Sequence, residues 1–444
     1  MTPTAPVHTI RYCARCLYPE NARPTILFDE QGVCSGCRHH EARHRINWTE
    51  REAKLRELLA TYKEQSRKAG NIYDCIVPVS GGKDSHFQVH LIKQVYGLNP
   101  LCVTFNHCFN TPLGLRNLNN LVEKLGVDLI RFTASPESVR KIARYMVRRV
   151  GDLTWHYHAG IMTVPFQVSV RYNVPLIIWP EHYGELTGVF TLDDMVEFTK
   201  WVRQEHDMRG LEPDDLVKDP SSGITWQDLA PYVYPSDEEI ERVGVRGIYL
   251  VNYMNWDAKQ QAELVIEQYG FQPLTWKRDR TFSLYAKTDD HANEVHDYMK
   301  YLKFGYGRAT DDATTEIRLG RMTREEGIEP VREYDHVRPR SLDTYLKFLG
   351  MTEAEFEAAV EPMRDRAIWD RDAGGRWRAK DSVVHHAGDA GVGAVRVPQS
   401  DDRTFARRNR QLYYNPANPP ATDPRLTALL QGMEHMGSHG FVVH

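Results

Sequence analysis

Apolar residues first recur at helical spacing at Leu55, Leu58, Leu59 and Tyr62. Thr49 stands as an N-cap with Glu52 three residues on, and Gly70 closes the segment, so an amphipathic helix is predicted there. From Ile72 the pattern changes. Short apolar runs at 72–79, 101–105, 128–132 and 175–179 read as strands. Helical stretches separate them: one reaching about 96, then 113–125, 136–149 and one ending near 172. This alternation predicts an α/β fold, a doubly wound parallel sheet covered on both faces. Ligands of such sheets gather at the carboxyl ends of the strands.

Beyond the fourth strand the pattern loosens. Residues 193–235 read as an insertion, with one helix carrying Met195, Phe198, Trp201 and Val202 on a face and then Pro- and Asp-rich loops. A strand over 247–251 and a helix over 257–269 follow. The chain is then polar and rich in Arg and Asp over 277–324, helical over 341–364 and loop-like after Asp370. The expected partition is a cysteine module over 1–47, a catalytic α/β domain over 48–335 and a helical and irregular extension over 336–444.

Composition narrows the class. The chain has 444 residues, 41% apolar and 26% charged, with a formal net charge of −4. That places it among globular proteins and disfavours a nucleic-acid partner, for which a basic surface is the rule. No run approaches the ~20 apolar residues of a membrane span, and Met1 to Ile10 lack the regions of a leader peptide. A cytoplasmic protein without a membrane partner is the expectation.

Seven cysteines are present, four of them in two close pairs: Cys13-x2-Cys16, seventeen residues, then Cys34-x2-Cys37. This is the spacing of a structural zinc site in a zinc-ribbon-like module. Four thiolates fill the tetrahedron, so His39, His40 and His44 are not needed. Gly32-Val33-Cys34-Ser35-Gly36 also matches the G-x-C-x-G of a glutaminase nucleophile elbow. Such an elbow needs a buried strand before it, and here Asp29-Glu30-Gln31 precedes it. Residue 2 is Thr rather than the cysteine of the other glutaminase class. The chain therefore shows no ammonia source of its own.

Ser80-Gly81-Gly82-Lys83-Asp84-Ser85 lies between the first strand and a helix. Two glycines let backbone amides approach a phosphate, and the helix start favours negative charge. Ser80 and Ser85 offer hydroxyls, Lys83 a cation and Asp84 a ligand for magnesium. The hexapeptide resembles the PP-loop of the ATP pyrophosphatase superfamily. That resemblance implies an adenine nucleotide alpha hydrolase-like fold, with the loop on the pyrophosphate end of ATP. It also implies that Pro78, Val79, Thr104, Phe105 and Asn106 lie near the adenosine. Glu181 and Glu185, after the fourth strand, would face the same crevice as magnesium or substrate ligands. His156 and His158 would share a face if extended, as pocket residues or acid and base. Cys75 and Cys102 read as core, and Cys108 as a cysteine near the cleft. The stretch Lys303 to Arg324, with Arg308, Asp311, Arg318 and Arg321, suits phosphate or carboxylate recognition, or else a salt-bridged helix.

Several segments together resemble the N-acetyl sugar amidotransferase family of surface-polysaccharide and nonulosonic-acid pathways. They are Phe28 to Cys34, Ser80 to Ser85, His158-Ala159-Gly160-Ile161, Pro175 to Trp179, Tyr249-Leu250 with Tyr253 and Trp256, and Lys303 to Arg324. They run in order through roughly residues 10 to 335. The resemblance implies ATP- and magnesium-dependent conversion of the acetamido group of a sugar or sugar nucleotide to an acetamidino group. Lys83, Asp84, His156, His158, Arg308 and Asp311 become its catalytic candidates. It also implies partners: a separate glutaminase and its cyclase-like companion, which supply ammonia. Two other readings stand beside it. A tRNA-thiolating enzyme also combines such a loop with zinc knuckles, but further paired cysteines and a basic surface are missing. A non-catalytic zinc- and nucleotide-binding scaffold is opposed by the intact Lys83, Asp84 and Ser85.

Overall fold

The computed structural model describes residues 10–182 and 184–389. The side chain of Glu185, the segment before Ile10 and the part of the C-terminal extension beyond 389 lie outside the described residues. Two helices come first, α1 (Ser35–Ala42) and α2 (Trp48–Ala69). The cap of α2 is Asn47, not Thr49: the Asn47 side chain accepts from the Glu50 amide at 3.2 Å, so the helix starts two residues earlier. Gly70 ends it with a positive φ of 70°.

The α/β core follows in the expected order: β1 (Cys75–Pro78), α3 (Lys83–Val89), β2 (Pro100–Asn106), α4 (Pro112–Leu125), β3 (Asp128–Thr133), α5 (Pro136–Val150), α6 (Trp155–Tyr172), β4 (Leu176–Trp179) and β5 (Arg246–Tyr249). The helix α3 runs on as a π-helical turn over His90–Val95. The strands form one parallel sheet in the order β3-β2-β1-β4-β5. The chain moves from β1 to one side for β2 and β3, then crosses to the other for β4 and β5. The crevice above β1 and β4 is therefore the switch point where such sheets bind ligands. Burial explains the composition. β4 is buried along its whole length and is purely apolar, whereas the edge strand β3 is partly exposed and carries Asp128, Arg131 and Thr133.

Two expectations fail in the looser regions. Met195, Phe198, Trp201 and Val202 do not share a helix: only Lys200–Val202 is helical before a π turn, and Met195 has a φ of 43°. Phe198 instead donates its amide to Gly247 at 2.9 Å and stacks on Trp179, while Trp201 is exposed. Burial beside the sheet edge overrides the helical period. The chain after Asp370 is not all loop either. A hairpin joins β6 (Trp369–Arg371) to β7 (Trp377–Ala379), turned by Asp372 to Gly375. Trp369 packs with Ile10 and Ile368 in a small core of their own.

The main core collects residues from Leu55 to Val360. A second core joins the cysteine module to Tyr306, Ala313, Ile317, Ile328, Val331 and Val383. Apart from Tyr306, which lies just before the first of them, these come from the helices Arg308–Arg318 and Arg324–Tyr334 and from the turn Val383–His386. Among the described residues no helix is long and apolar enough to cross a membrane.

Candidate active site

The phosphate-loop candidate sits above β1. The Val79 amide still pairs with the β2 carbonyl of Val103 at 2.9 Å, and the chain then turns away. The Ser80 amide donates to Ser85 Oγ at 2.9 Å, and the Gly82 amide to Ser80 Oγ at 3.3 Å. Gly81 has a φ of 92°, and a Cβ there would lie 2.6 Å from the Gly114 carbonyl oxygen. Only glycine fits. Gly82 starts α3 without a side-chain cap, so the first amides of the helix keep their hydrogen-bonding capacity. Lys83 Nζ lies 2.6 Å from both carboxylate oxygens of Asp84, and that carboxylate remains partly open to solvent.

A second wall comes from a distant segment. The Thr111 amide donates to the Asp289 carbonyl at 3.0 Å, and Thr111 Oγ1 to the Thr288 carbonyl at 2.6 Å. This draws the buried pair Asp289 and Asp290 over the loop. Ser80 hydrogen-bonds the Asp289 carboxyl, whose pKa burial and the adjacent Asp290 raise. Burial pushes Asp290 up to about 7. His107 Nε2 lies 3.7 Å from Asp290, and burial lowers that imidazole to about 4.

Polar groups continue from this wall into a cleft. The His158 and His296 rings are 5.4 Å apart. Thr154 Oγ1 donates to Asp152 at 2.8 Å, so it accepts from His296 Nδ1, also at 2.8 Å, which leaves His296 Nε2 as an acceptor. Arg209 closes the chain on Asp152 at 2.8 Å. Burial holds His158 at about 4 and His296 well below its ordinary value, so both are neutral near pH 7. Arg308 grips Asp297 through two nitrogens at 2.7 and 2.9 Å and lies 3.4 Å from Asp311. Asp311 also holds Lys300 at 2.6 Å and the Tyr18 hydroxyl at 2.8 Å.

Not every residue singled out in the sequence reaches this site. His156 and His158 lie on a helix, α6, not on an extended segment, so they are ~200° apart around its axis. His156 is buried in the core, with Nδ1 lacking a hydrogen bond among the described residues. Phe105 is core too: it stacks on Phe132, and a Cβ on Gly160 would strike its ring. Thr104 is buried at the end of β2. Asn106 is tied to Thr133 at 3.3 Å and to the Cys108 amide at 3.1 Å. Pro78 and Val79 flank the crevice, and Glu181 is exposed just past β4. Cys75 and Cys102 are buried in strands, and burial raises the Cys108 thiol. Sequence reading missed Asp152, Arg209, Lys287, Asp289, Asp290 and His296. Lys287, Asp289, Asp290 and His296 belonged to the polar stretch 277–324, their only early signal, and Asp152 and Arg209 had none.

The arginines beyond Arg308 have protein partners. Arg318 donates to the Leu186 carbonyl at 2.7 Å and points at Cys34 Sγ, 3.5 Å away. Arg321 pairs with Asp257 and Glu316, and Arg324 with the carbonyls of Cys13, Cys16 and His386. Of the two readings of this stretch, ligand recognition or internal pairing, the contacts of Arg318 and Arg321 favour internal pairing: their charge is spent inside the protein.

Cys13, Cys16, Cys34 and Cys37 are buried, and their sulfurs all lie within 4.8 Å of one another. Backbone amides of Arg15, Cys16 and Cys34 point at Cys13 Sγ, and that of Cys37 at Cys34 Sγ, at 3.3 to 3.4 Å. Four converging sulfurs with amide donors around them suit a thiophilic metal ion.

Residues 267–383 match the family described as LPS biosynthesis protein WbpG-like, C-terminal domain. An uncharacterized protein of Methanocaldococcus jannaschii is 28% identical over 118 residues, 27% of this chain and 41% of that protein. The chain thus spans less than half the length of that curated relative. Among solved structures, NMN synthetase from Francisella tularensis matches at 17% identity and a TM-score of 0.25, covering 47% of this chain and 93% of that one. The NH3-dependent NAD synthetase from Campylobacter jejuni matches at 14% identity and a TM-score of 0.25, over 45% and 92%. At these values the two synthetases carry no argument about the reaction.

Proposed function

We propose that this protein is an ATP-dependent amidotransferase of surface-polysaccharide biosynthesis. It converts the acetamido group of an N-acetylated sugar or sugar nucleotide to an acetamidino group, forming AMP and pyrophosphate. The observation that carries this reading is the placement of the uncapped, glycine-shaped loop Gly81 to Lys83 at the switch point of the sheet, with a polar cleft from the WbpG-like segment opposite.

An amide carbonyl carbon is a poor electrophile. In this reading its oxygen attacks the α-phosphate of ATP, and the bond to pyrophosphate breaks. Ammonia adds to the carbon of the adenylated group. AMP leaves with the original oxygen, and an amidine remains. The loop amides, Ser80, Ser85 and Lys83 offset charge on the departing pyrophosphate. Asp84, a reachable oxygen donor, would hold the magnesium ion, which supplies further charge neutralisation. His158 and His296, neutral near pH 7, accept hydrogen bonds from sugar hydroxyls or ammonia. Arg308 and Asp311 keep the cleft wall rigid through Asp297 and Lys300.

The cysteine quartet is assigned to one structural zinc, and Cys34 is thereby withdrawn from glutaminase chemistry. Ammonia then comes from a separate glutaminase and its cyclase-like companion, with the protein acting in the cytoplasm. Incubation with magnesium, ATP, ammonium and N-acetyl sugars tests the reading. AMP, pyrophosphate and a sugar product about one dalton lighter are expected, since oxygen is exchanged for an imino group. ADP and phosphate, or no sugar product across the panel, would refute it.

A further inference from the structure

We propose that Lys287 is an anion-binding residue whose ammonium takes a phosphate oxygen of a substrate held against the Ser80–Ser85 loop. The proposal rests on the functional reading above. It begins from a contrast among the cations of the cleft. Lys83 is paired with Asp84, Lys300 with Asp311, Arg308 with Asp297 and Arg209 with Asp152. Lys287 makes no ion pair or hydrogen bond through its side chain among the described residues, although its side chain is exposed.

Its backbone is held in an unusual shape. Lys287 has a φ of 49°, in the left-handed region that a long side chain rarely adopts. The neighbours on both sides enforce it. The Ala286 carbonyl accepts from the buried Arg278 at 2.7 Å, and the Thr288 carbonyl from Thr111 Oγ1 at 2.6 Å. Two residues on, Asp289 reaches the phosphate loop through Ser80. The lysine therefore leaves the chain where the wall of the cleft meets the loop.

Its surroundings define what it lacks. His158, Asp290, Asp297, Arg308, Asp311 and Asp312 all act electrostatically on it or feel its charge. The acids facing it are already engaged: Asp297 by Arg308, Asp311 by Lys300, and Asp312 by the Thr281 hydroxyl at 2.5 Å. Lys287 has no counter-charge of its own among the described residues, and an incoming phosphate supplies one. Two substrates carry that chemistry: ATP, through its pyrophosphate end, and a nucleotide-linked sugar, through its diphosphate.

Calorimetric binding to the full chain separates these sources. The probes are magnesium pyrophosphate, magnesium ATP, a uridine-diphosphate N-acetyl sugar and the free N-acetyl sugar. Lys287→Gly suits the left-handed backbone, so its melting temperature should equal or exceed that of the wild type. It should bind at least one phosphate probe about tenfold more weakly or worse, with the free sugar unaffected. Lys287→Arg should restore most of the loss. Weakening of pyrophosphate and ATP identifies the nucleotide as the partner; weakening of the diphosphate sugar alone identifies the sugar donor. Wild-type affinities for every phosphate probe in Lys287→Gly would overturn the proposal while leaving the functional reading intact. Wild-type protein that binds neither pyrophosphate nor ATP would overturn that reading and the proposal with it.

Discussion

At the Ser80–Ser85 loop the protein leaves polar groups for something else to satisfy, whereas around Cys13, Cys16, Cys34 and Cys37 protein groups cap the helix and hold the nearby carbonyls. The first region has an uncapped helix start, a partly open Asp84 and, close by, Lys287, which is unpaired among the described residues. In the second, Cys34 caps α1, Arg324 covers the carbonyls of Cys13 and Cys16, and Arg318 lies against the sulfurs. Ser35 Oγ and Arg318 hold the carbonyls of Thr187 and Leu186 at 2.5 and 2.7 Å. One region suits a ligand that comes and goes; the other suits an ion that stays. The helices between Ala292 and Tyr334 serve both, presenting His296, Asp297 and Arg308 to the cleft and Arg318 and Arg324 to the cysteines.

Metal removal should produce the largest effect. Binding of a structural zinc contributes on the order of 10 kcal/mol to folding of its module. Purified protein should contain one zinc per chain, and Cys34→Ser should lose both zinc and soluble yield. Protein without zinc, or with the absorption of an iron–sulfur cluster, would break the comparison. Next in size is Arg318→Met, which removes a buried cation from the sulfurs and from the Leu186 carbonyl. A loss of roughly 3 kcal/mol is expected in denaturant unfolding. Pyrophosphate affinity should stay near the wild-type value if the two regions are independent.

Asp84→Asn should act the other way round. Turnover should fall about a hundredfold or more, with stability changed by less than ~1 kcal/mol, because a partly exposed loop carboxylate contributes little packing. A large drop in melting temperature would show that the loop is structural. The smallest expected effect is on pH. Burial holds His86, His107, His158 and His182 at about 4 and His156 at about 3, against 6.5 for a free imidazole. The unfolded chain then binds more protons in that window, so stability falls as pH drops from about 6.5 through about 4. Asp290, raised to about 7 from 3.8, works in the opposite sense over nearly the same range. Burial also raises Asp289, Asp312, Asp335 and Glu212, while His206 and His296 join the lowered imidazoles. The imidazoles outnumber the raised carboxyls, and the melting temperature should fall between pH 7 and pH 5. A rise would contradict the neutral state assigned to the cleft histidines.

What was legible in the sequence follows from distance along the chain. The strands, the loop and the cysteine spacing are local patterns, and the structure keeps them. Gly81 is needed by a turn within its own hexapeptide. Arg318 reads as a ligand-binding residue until it meets Cys34, 284 residues away. His156 looked equivalent to His158 because the segment was read as extended, and the helix sends it into the core. Thr49 lost the cap of α2 to Asn47, because Asn47 with Glu50 shows the same three-residue spacing as Thr49 with Glu52. Asp289, Asp290 and Lys287 belong to no motif, because their role comes from Thr111 and Arg278 holding a distant segment against the loop.

The central claim is that an acetamido oxygen is adenylated on this chain, and an oxygen label tests it most directly. The N-acetyl sugar is prepared with oxygen-18 in its acetamido carbonyl and turned over with ATP and free ammonium. The account predicts that the label appears in AMP and that none remains in the amidine product. Label retained wholly in the sugar product, with unlabelled AMP, would contradict it.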